Sequence, residues 1–337
     1  MQDGSSKRRM QQKEDDDSDS LVTIGRWNDL DTDILRKIFK YFDCLHYEKP
    51  EDVSACQVSA LVHSSAVCSA WGSVLCDPRL WNTLDFSNMK SDFIRTIQPP
   101  YIHVNSRSDE AFSLVLKASL SLSRRNITTL IFHPQLYVSD DQLVYTARRC
   151  PNLKRLILPG GNRIKKTGFC EAIRNWKDLE SLTIPGLMHP SSIIEEISSS
   201  CRNFSELKIK GCFDVRFAST LVGAHLPNLK VLSLRCSLIV REALITLLDD
   251  LAQLEVLNIS HCVLLSEPPR PDKPLQIVQE LDEVILERAA RLQRFITCEQ
   301  IEQCIMCQRA TFYEGNVKWY KYEEGLWKQD EVKSLAV

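Results

Sequence analysis

The sequence lacks the long apolar runs and the excess of one charge that are typical of membrane and nucleic-acid-binding proteins. No stretch approaches the roughly 20 consecutive apolar residues that a transmembrane helix needs. The 337 residues carry 42 Lys and Arg against 44 Asp and Glu, a formal net charge of −2. No general attraction to nucleic acid or to an acidic membrane is therefore expected. The polar residues 1–20 also lack the apolar segment of a secretory signal peptide.

Catalytic signatures are missing as well. The sequence contains no Gly-x-x-x-x-Gly-Lys, no Gly-x-Ser-x-Gly and no His-Glu-x-x-His, which are the local motifs of phosphate loops, serine hydrolases and zinc peptidases. Scattered positions favour structural roles for the histidines at 103, 133, 189, 225 and 261. No local signature of an activated thiol accompanies any of the 13 cysteines. The sequence therefore predicts no catalytic residue.

The cysteines do not form the composition of a disulfide scaffold, because 13 are spread over a long chain. Several occupy equivalent places near predicted strands: Cys150 and Cys201 precede a strand, whereas Cys212 and Cys262 follow one. Small thiols suit tight buried turns. We therefore expect reduced, structural cysteines and a location in the nucleus, the cytoplasm or both.

What the sequence does contain is one pattern repeated six times between Ile127 and Ile259. Each copy reads apolar, two residues, apolar, one residue, apolar, and the first positions advance by 26, 26, 25, 25 and 25 residues. A fixed period of about 20–29 residues with this spacing is the leucine-rich-repeat signature. The copies are Ile127/Leu130/Phe132, Leu153/Leu156/Leu158, Leu179/Leu182/Ile184, Phe204/Leu207/Ile209, Leu229/Leu232/Leu234 and Leu254/Leu257/Ile259.

The spacing within each copy predicts a short strand followed by a returning helix. The last two apolar residues are two apart, so both point to the same side of a strand. One unit cannot bury its apolar face alone, so we expect an α/β leucine-rich-repeat solenoid, a horseshoe with a continuous core. Helical spacing follows the strands at Leu143, Val144 and Ala147, at Ile193, Ile194 and Ile197, and at Ala243, Leu244, Leu247 and Leu248.

A second pattern precedes the repeats, in residues 26–81. One helical face is predicted after Asp31, whose carboxylate favours a helix N-terminus; it carries Ile34, Leu35, Ile38, Phe39 and Phe42. After a polar connector, a second helix is predicted to carry Val58, Leu61, Val62, Ala66, Val67 and Trp71. The segment ends on Asp77-Pro78-Arg79-Leu80-Trp81.

This segment resembles the F-box. The positions that fill the family pattern in order are Leu30, Ile34, Leu35, Ile38, Phe39, Val67-Cys68-Ser69-Ala70-Trp71 and Pro78-Arg79-Leu80-Trp81. Two departures are Asp31, in place of the usual proline, and a longer connector. Aspartate can still support the helix start through its charge and its capping oxygen. With the repeats that follow, the chain is similar to the plant-type F-box/leucine-rich-repeat proteins from residue 26 to about residue 300.

The resemblance implies a non-catalytic subunit of a ubiquitin ligase. In that family the F-box binds the Skp adaptor, which joins a cullin scaffold and a RING subunit, and the repeats hold a protein substrate. No cofactor is expected, because a short arc of repeats leaves little room for a buried small-molecule pocket. The implied adaptor-binding residues are Leu30, Ile34, Leu35, Ile38, Phe39, Val67, Trp71, Leu80 and Trp81.

The substrate surface is predicted from the repeats. Residues between the core positions of each strand should point out of the concave face. They are mixed in charge, so any one of them is also consistent with a solvated face. The candidates are Lys154, Arg155, Glu180, Thr183, Glu206, Lys208, Lys230, Ser233, Glu255 and Asn258.

The patterns divide the chain into a disordered tail (1–25), the F-box (26–81), the solenoid (82–298) and a C-terminal capping tail (299–337). The solenoid starts with an irregular first repeat, and regular repeats cover residues 126–262. A proline loop (267–274) and an elongated last repeat (275–298) complete it. The helix of that last repeat is predicted to begin at Leu275.

Three thiols near the C-terminus, those of Cys298, Cys304 and Cys307, raise the question of zinc. A structural zinc site normally takes four Cys or His ligands. No histidine follows His261 and no second Cys-x-x-Cys is present. No metal ligand is therefore predicted, and the thiols are expected to pack at the end of the repeats.

Two other functions are open at this point. The chain could be a ligase-independent leucine-rich-repeat scaffold, in which Asp31 and the long connector disable adaptor binding and residues 26–81 only cap the solenoid. It could also be an enzyme with a thiol site. Adaptor binding tests the first alternative, and labelling of unusually reactive cysteines tests the second.

Overall fold

The computed structural model describes residues 31–35, 37, 62, 64–87, 106–134, 136–159, 164–184, 190–224, 226, 228–270, 273–278, 280–298, 304–313, 316–318 and 327–336. The predicted tail at 1–25 lies outside the described residues. So do three predicted F-box positions, Leu30, Ile38 and Phe39.

Short strands recur along the described chain at the repeat period. They are β1 (Thr83–Asp85), β2 (Thr129–Ile131), β3 (Arg155–Ile157), β4 (Ser181–Ile184), β5 (Glu206–Ile209), β6 (Cys212–Phe213), β7 (Val231–Ser233), β8 (Leu238–Val240), β9 (Val256–Asn258), β10 (Val263–Leu265), β11 (Arg294–Ile296), β12 (Thr311–Tyr313) and β13 (Asn316–Lys318).

Helices connect most of these strands. They are α1 (Ser69–Leu75), α2 (Ser106–Leu122), α3 (Asp140–Arg149), α4 (Lys166–Asn175), α5 (Pro190–Ser200), α6 (Val215–Gly223), α7 (Arg241–Asp250), α8 (Glu283–Ala289), α9 (Ile305–Gln308) and α10 (Gln329–Val332). A 3-10 turn covers Pro78–Leu80. No helix within the described ranges has the length and apolarity needed to cross a membrane.

The repeat pattern is realised as one parallel sheet. Eight strands pair in the order β1-β2-β3-β4-β5-β7-β9-β11. Their central residues form one register column that points into the core: Leu84, Leu130, Leu156, Leu182, Leu207, Leu232, Leu257 and Phe295. All 18 apolar residues of the six copies are buried, which confirms the pattern that defined the repeats.

A second parallel sheet was not predicted. It contains β10, β8 and β6, each of which follows the turn after a strand of the first sheet. Its signal is weak, because each strand is only two or three residues long. Helices α4 and α6 are the returning helices expected of each repeat, although the sequence pattern did not place them at particular residues. Their residues alternate between buried apolar and polar positions within only about 10 residues.

The predicted helix of the last repeat was placed too early. It begins at Glu283 and not at Leu275. The preceding segment pairs with β10: Ile277 forms an antiparallel bridge with Leu265, and the N–H of Val278 donates to the carbonyl of Leu264 at 2.9 Å. The Asp282 carboxylate then accepts from the N–H of Ile285 at 3.0 Å and starts the helix.

The second predicted helix of residues 26–81 is interrupted. Residues 65–67 form a turn, and α1 begins only after the extended Cys68. The Ser65 hydroxyl donates to the Val62 carbonyl at 2.6 Å, a local bond that competes with helical pairing. Val67 and Trp71, predicted on one helix, therefore lie on different elements.

The first sheet and the described residues between positions 31 and 81 share one continuous core. Leu35, Val74, Leu75 and Trp81 belong to the same buried cluster as the repeat leucines. The Trp81 indole N–H donates to the Leu75 carbonyl at 2.5 Å. The helical segment is thus attached directly to the end of the sheet that carries β1.

Candidate functional site

Asp31 stands at the start of the first helical segment and caps it. Its Oδ1 accepts from the N–H of Asp33 at 2.7 Å. Its carbonyl accepts from the N–H groups of Ile34 and Leu35, each at 3.0 Å. This is the side-chain contact of a helix N-cap. The aspartate side chain therefore satisfies one of the orphan N–H donors of the helix start.

The structure separates the described F-box positions into two groups. Leu35 and Trp81 are almost completely buried. Trp71 and Leu80 are half-buried against the same core. Ile34 is 47% exposed and Val67 is 61% exposed. The first group holds the fold together, whereas Ile34 and Val67 offer apolar surface to solvent.

Charged side chains accompany this surface. The Arg79 guanidinium donates to both carboxylate oxygens of Asp77, at 3.1 and 2.8 Å. The hydrogen bond to Asp77 and its charge raise the pKa of Arg79, and the charge of Asp33 acts in the same direction. The Arg79–Asp77 ion pair is thus part of the 3-10 turn that ends residues 26–81.

The predicted substrate-face residues also fall into two groups. Four residues that lie just before the strands are exposed or half-exposed: Lys154, Glu180, Lys230 and Glu255. They pair across neighbouring repeats, Lys154 with Glu180 at 2.7 Å and Lys230 with Glu255 at 2.8 Å. We call these four residues the charged row. Such exposed pairs contribute little to stability, because water and salt screen their charges.

The other group lies within the strands, in the two register columns that flank the buried leucines. Thr183, Glu206, Lys208, Ser233 and Asn258 are nearly inaccessible, and Arg155 is half-buried. Arg155 reaches Glu206 at 3.0 Å, and Lys208 reaches it at 3.4 Å. The expectation that these residues form an open concave face is therefore wrong for the chain as it stands.

The C-terminal segment is what covers them. The Lys208 ammonium donates to the carbonyls of Asp330 and Glu331, at 2.8 and 3.4 Å, and also to that of Lys333. Thr183 Oγ1 donates to the carbonyl of Glu331 at 2.9 Å. Farther along, Leu335 packs on Val231 and Val256. We call residues 327–336 the C-terminal strap.

The strap crosses much of the sheet. At one end the Trp327 indole N–H donates to the Phe132 carbonyl at 2.6 Å. At the other, Arg294 of β11 donates to the Leu335 carbonyl at 3.5 Å. Sequence reasoning assigned this tail to the exposed end of the last repeat. It did not predict that the tail covers the face of the sheet, although the alternation of Glu206, Lys208 and Arg155 with buried leucines indicated charged partners.

Burial and pairing set the ionisation of this face. Burial pushes the pKa of Glu206 upward, but Lys208, the N–H of Leu335, Arg155 and Ser181 outweigh it and lower the pKa. Burial lowers the pKa of Lys208, and the charge of Glu206 opposes this shift. The lowered pKa keeps Glu206 ionised near neutral pH, so the strap lies on a buried carboxylate that Arg155 and Lys208 contact.

Among the cysteines in the described part of the chain, several thiols are made unreactive by burial. Burial raises the pKa of Cys150 and of Cys201 to about 12. A raised pKa leaves the thiol protonated and unreactive. The exception is Cys304, whose pKa is lowered because hydrogen bonds from its neighbours outweigh its burial.

Comparison with known proteins decides the family. The chain is 52% identical to F-box/LRR-repeat protein At3g48880 of Arabidopsis thaliana over 310 residues, 92% of this chain and 96% of that protein. The chain belongs to the F-box/LRR-repeat proteins. It is also 26% identical to the putative F-box protein At4g11580 from the same plant, over 93% of this chain and 96% of that one. No protein-family model matches the chain.

A shorter likeness adds to this picture. F-box protein SKIP1 of Arabidopsis thaliana is 24% identical over 59% of this chain and 71% of that protein. The family resemblance read from residues 26–81 and from the repeats is thereby confirmed for a plant F-box/LRR-repeat protein. Among the described residues, Ile34, Val67 and the charged row are exposed.

Proposed function

We propose that this F-box/LRR-repeat protein is the substrate-recognition subunit of a Skp-cullin-F-box ubiquitin ligase. The single observation that carries the proposal is the division of the F-box positions. Leu35 and Trp81 are buried in the core, while Ile34 and Val67 remain exposed. Exposed apolar side chains gain free energy when a partner removes them from water, so these two residues favour a protein interface.

The shared core supports a positioning role. Because Leu35, Leu75 and Trp81 belong to the same buried cluster as the repeats, an adaptor bound at Ile34 and Val67 would stand in a fixed orientation to a substrate bound on the repeats. Fixed orientation raises the effective concentration of a substrate lysine near the activated ubiquitin. Cullin and RING subunits would join through the adaptor and supply the chemistry.

The proposed substrate surface is the charged row together with the outer side of the strap. This differs from the sheet face expected from sequence, since the strap contacts Thr183, Lys208 and Asn258. Charge reversal at Lys154 and Lys230 should weaken substrate capture without unfolding the chain, because both side chains are more than half exposed. Proteins that the adaptor-bound wild type retains should no longer be retained by this double variant. The variant Leu114→Glu, which leaves the charged row intact, should still retain them.

Adaptor binding is the decisive test. The chain would be co-expressed with a tagged plant Skp adaptor, as the wild type and as the double variant Ile34→Glu, Val67→Glu. Leu114→Glu is a matched control, because Leu114 is also an exposed apolar residue, at 69%, but lies on α2. Circular dichroism and thermal unfolding would verify that every variant folds.

We expect the wild type and Leu114→Glu to co-purify with the adaptor. The double variant should lose affinity by at least roughly 10-fold, the effect of removing about 1.4 kcal/mol at an interface anchor. A well-folded wild type that does not bind would favour the alternative, a ligase-independent scaffold. Undiminished binding by the folded double variant would refute the assigned surface.

A further inference from the structure

Four metal-ligating side chains converge beside the last two strands of the first sheet. Cys304 Sγ lies 3.3 Å from His261 Nδ1, and Cys307 Sγ lies 3.5 Å from the same nitrogen. Cys307 Sγ lies 3.7 Å from Cys298 Sγ. All four ligand atoms lie within 4.8 Å of one another. The three thiols are evident in the sequence, but the fourth ligand, His261, lies well before them and was not predicted.

The topology explains why these residues meet. Strands β9 and β11 are parallel neighbours, with Ile296 opposite Asn258. The turns that leave them therefore lie side by side, and they carry His261 and Cys298. His261 has a left-handed backbone with φ of 57°, and Cys236, in the corresponding turn of the preceding repeat, has φ of 55°. The turn conformation thus belongs to the repeat and places the imidazole beside the thiols.

The other two ligands come from one helical turn. Cys304 precedes α9 and Cys307 lies within it. The Cys304 carbonyl accepts from the N–H groups of Cys307 and Gln308, at 3.0 and 2.9 Å. Met306 and Ala310 pack against the buried Cys236, Leu238 and Leu265. Core packing on one side of α9 therefore holds the Cys-x-x-Cys pair towards the strand ends.

The interatomic distances match a tetrahedral zinc ion. Zinc–sulfur bonds of about 2.3 Å and zinc–nitrogen bonds of about 2.0–2.1 Å place two sulfurs about 3.8 Å apart and a sulfur about 3.6 Å from a nitrogen. The observed separations of 3.7, 3.5 and 3.3 Å agree with this geometry. A disulfide would need sulfurs about 2.05 Å apart, and a cluster this small suits one ion rather than several.

We propose that His261, Cys298, Cys304 and Cys307 form a structural zinc site of the Cys₃His type. Four protein ligands leave no open position for a substrate, as in structural zinc sites generally. The ion would join α9 to the turns of the last two repeats. It would therefore fix the start of the C-terminal region whose strap lies over the sheet, where a chain end would otherwise fray.

The test uses the full chain, purified in a phosphine reductant that keeps the thiols reduced. Zinc per chain is measured by elemental analysis for the wild type, Cys298→Ser, Cys304→Ser and His261→Cys. Cys212→Ser is the control, because Cys212 is exposed and lies outside the cluster. Cobalt(II) is then loaded into the zinc-free proteins, and the absorption of a tetrahedral thiolate site is recorded.

We expect one zinc per chain in the wild type and Cys212→Ser, and retention by His261→Cys, since a Cys₄ set also binds zinc. Cys298→Ser and Cys304→Ser should hold less than roughly a tenth as much. A wild type that is folded and reduced but takes up neither zinc nor cobalt would overturn the proposal. So would a Cys298–Cys307 disulfide found by mass spectrometry, or zinc that Cys304→Ser leaves unchanged. The cobalt spectrum of the wild type decides the question even where a serine variant fails to fold.

Discussion

The backbone N–H of Leu335 donates to Oε1 of Glu206 at 2.8 Å, across 129 positions of sequence. This bond ties the C-terminal strap to the centre of the first sheet. The other oxygen of the same carboxylate accepts from Arg155 at 3.0 Å and from the Ser181 hydroxyl at 2.9 Å. One buried side chain thus connects three repeats with the end of the chain.

Neutralising Glu206 should destabilise the fold. Glu206→Gln leaves the buried Lys208 and Arg155 without their counter-charge, and breaking one partner of a buried ion pair costs about 3–5 kcal/mol. Glu180→Gln is the control, because its pair with Lys154 is exposed and therefore contributes little to stability. Urea unfolding of both variants measures the difference. Equal free energies of unfolding would contradict the importance of the buried cluster.

The same carboxylate predicts an acid-sensitive contribution to stability. Its folded-state pKa is lowered, so the contribution is fully present above the unfolded pKa of about 4.3 and is lost as pH falls through the folded value. Facing groups are the cations Arg155 and Lys208. The difference in melting temperature between the wild type and Glu206→Gln should be constant near pH 7 and shrink below about pH 5. A gap that does not shrink on acidification would show that Glu206 is not the titrating group.

Packing of the strap predicts a distinct effect at its end. Leu335 is buried against Val231 and Val256, and burial of a leucine side chain stabilises by about 1.5–3 kcal/mol. Leu335→Ala should therefore lower the free energy of unfolding by about that order. Leu114→Ala, at an exposed position, should change it by less than about 0.5 kcal/mol. Similar values for the two would mean that the strap does not pack on the sheet in solution.

Residues 34 and 35 should separate binding from folding. Leu35 is fully buried, whereas Ile34 is half exposed. Leu35→Ala should cost about 2–5 kcal/mol of stability, because it leaves a cavity in the shared core. Ile34→Ala should leave stability nearly unchanged and should weaken adaptor binding. Chemical denaturation and adaptor titration on both variants measure the two effects, and a reversed order would disprove the assignment of the exposed face.

The cap at Asp31 can be tested on its own. Asp31→Ala removes the acceptor for the N–H of Asp33 and should cost about 0.5–2 kcal/mol, whereas Asp31→Asn keeps an acceptor and should cost less. Thermal unfolding of the two variants gives the comparison. Identical melting temperatures for Asp31→Ala and the wild type would show that the cap contributes nothing measurable.

Part of the candidate site could be predicted from the sequence, because it depends on short, local patterns of residues. The capping oxygen of Asp31 and the apolar spacing around Leu35 act within one helical turn, so sequence predicts them directly. Which apolar residue faces solvent was not readable, because Ile34 and Leu35 are adjacent and both hydrophobic. Only the packing of Leu35 against the repeat core separates them.

The sequence by itself determined the parallel sheet, because the apolar residues of each repeat can be buried only when neighbouring repeats stack. It also determined the family, through the order of the F-box-like segment and the repeats. The tertiary structure alone decided that the strap covers Glu206 and Lys208 and that His261 meets Cys298, Cys304 and Cys307. These contacts join residues 37 to 129 positions apart. A local repeat period does not encode contacts between residues so far apart in sequence. These contacts are decided only when the stacked core fixes the position of each chain segment.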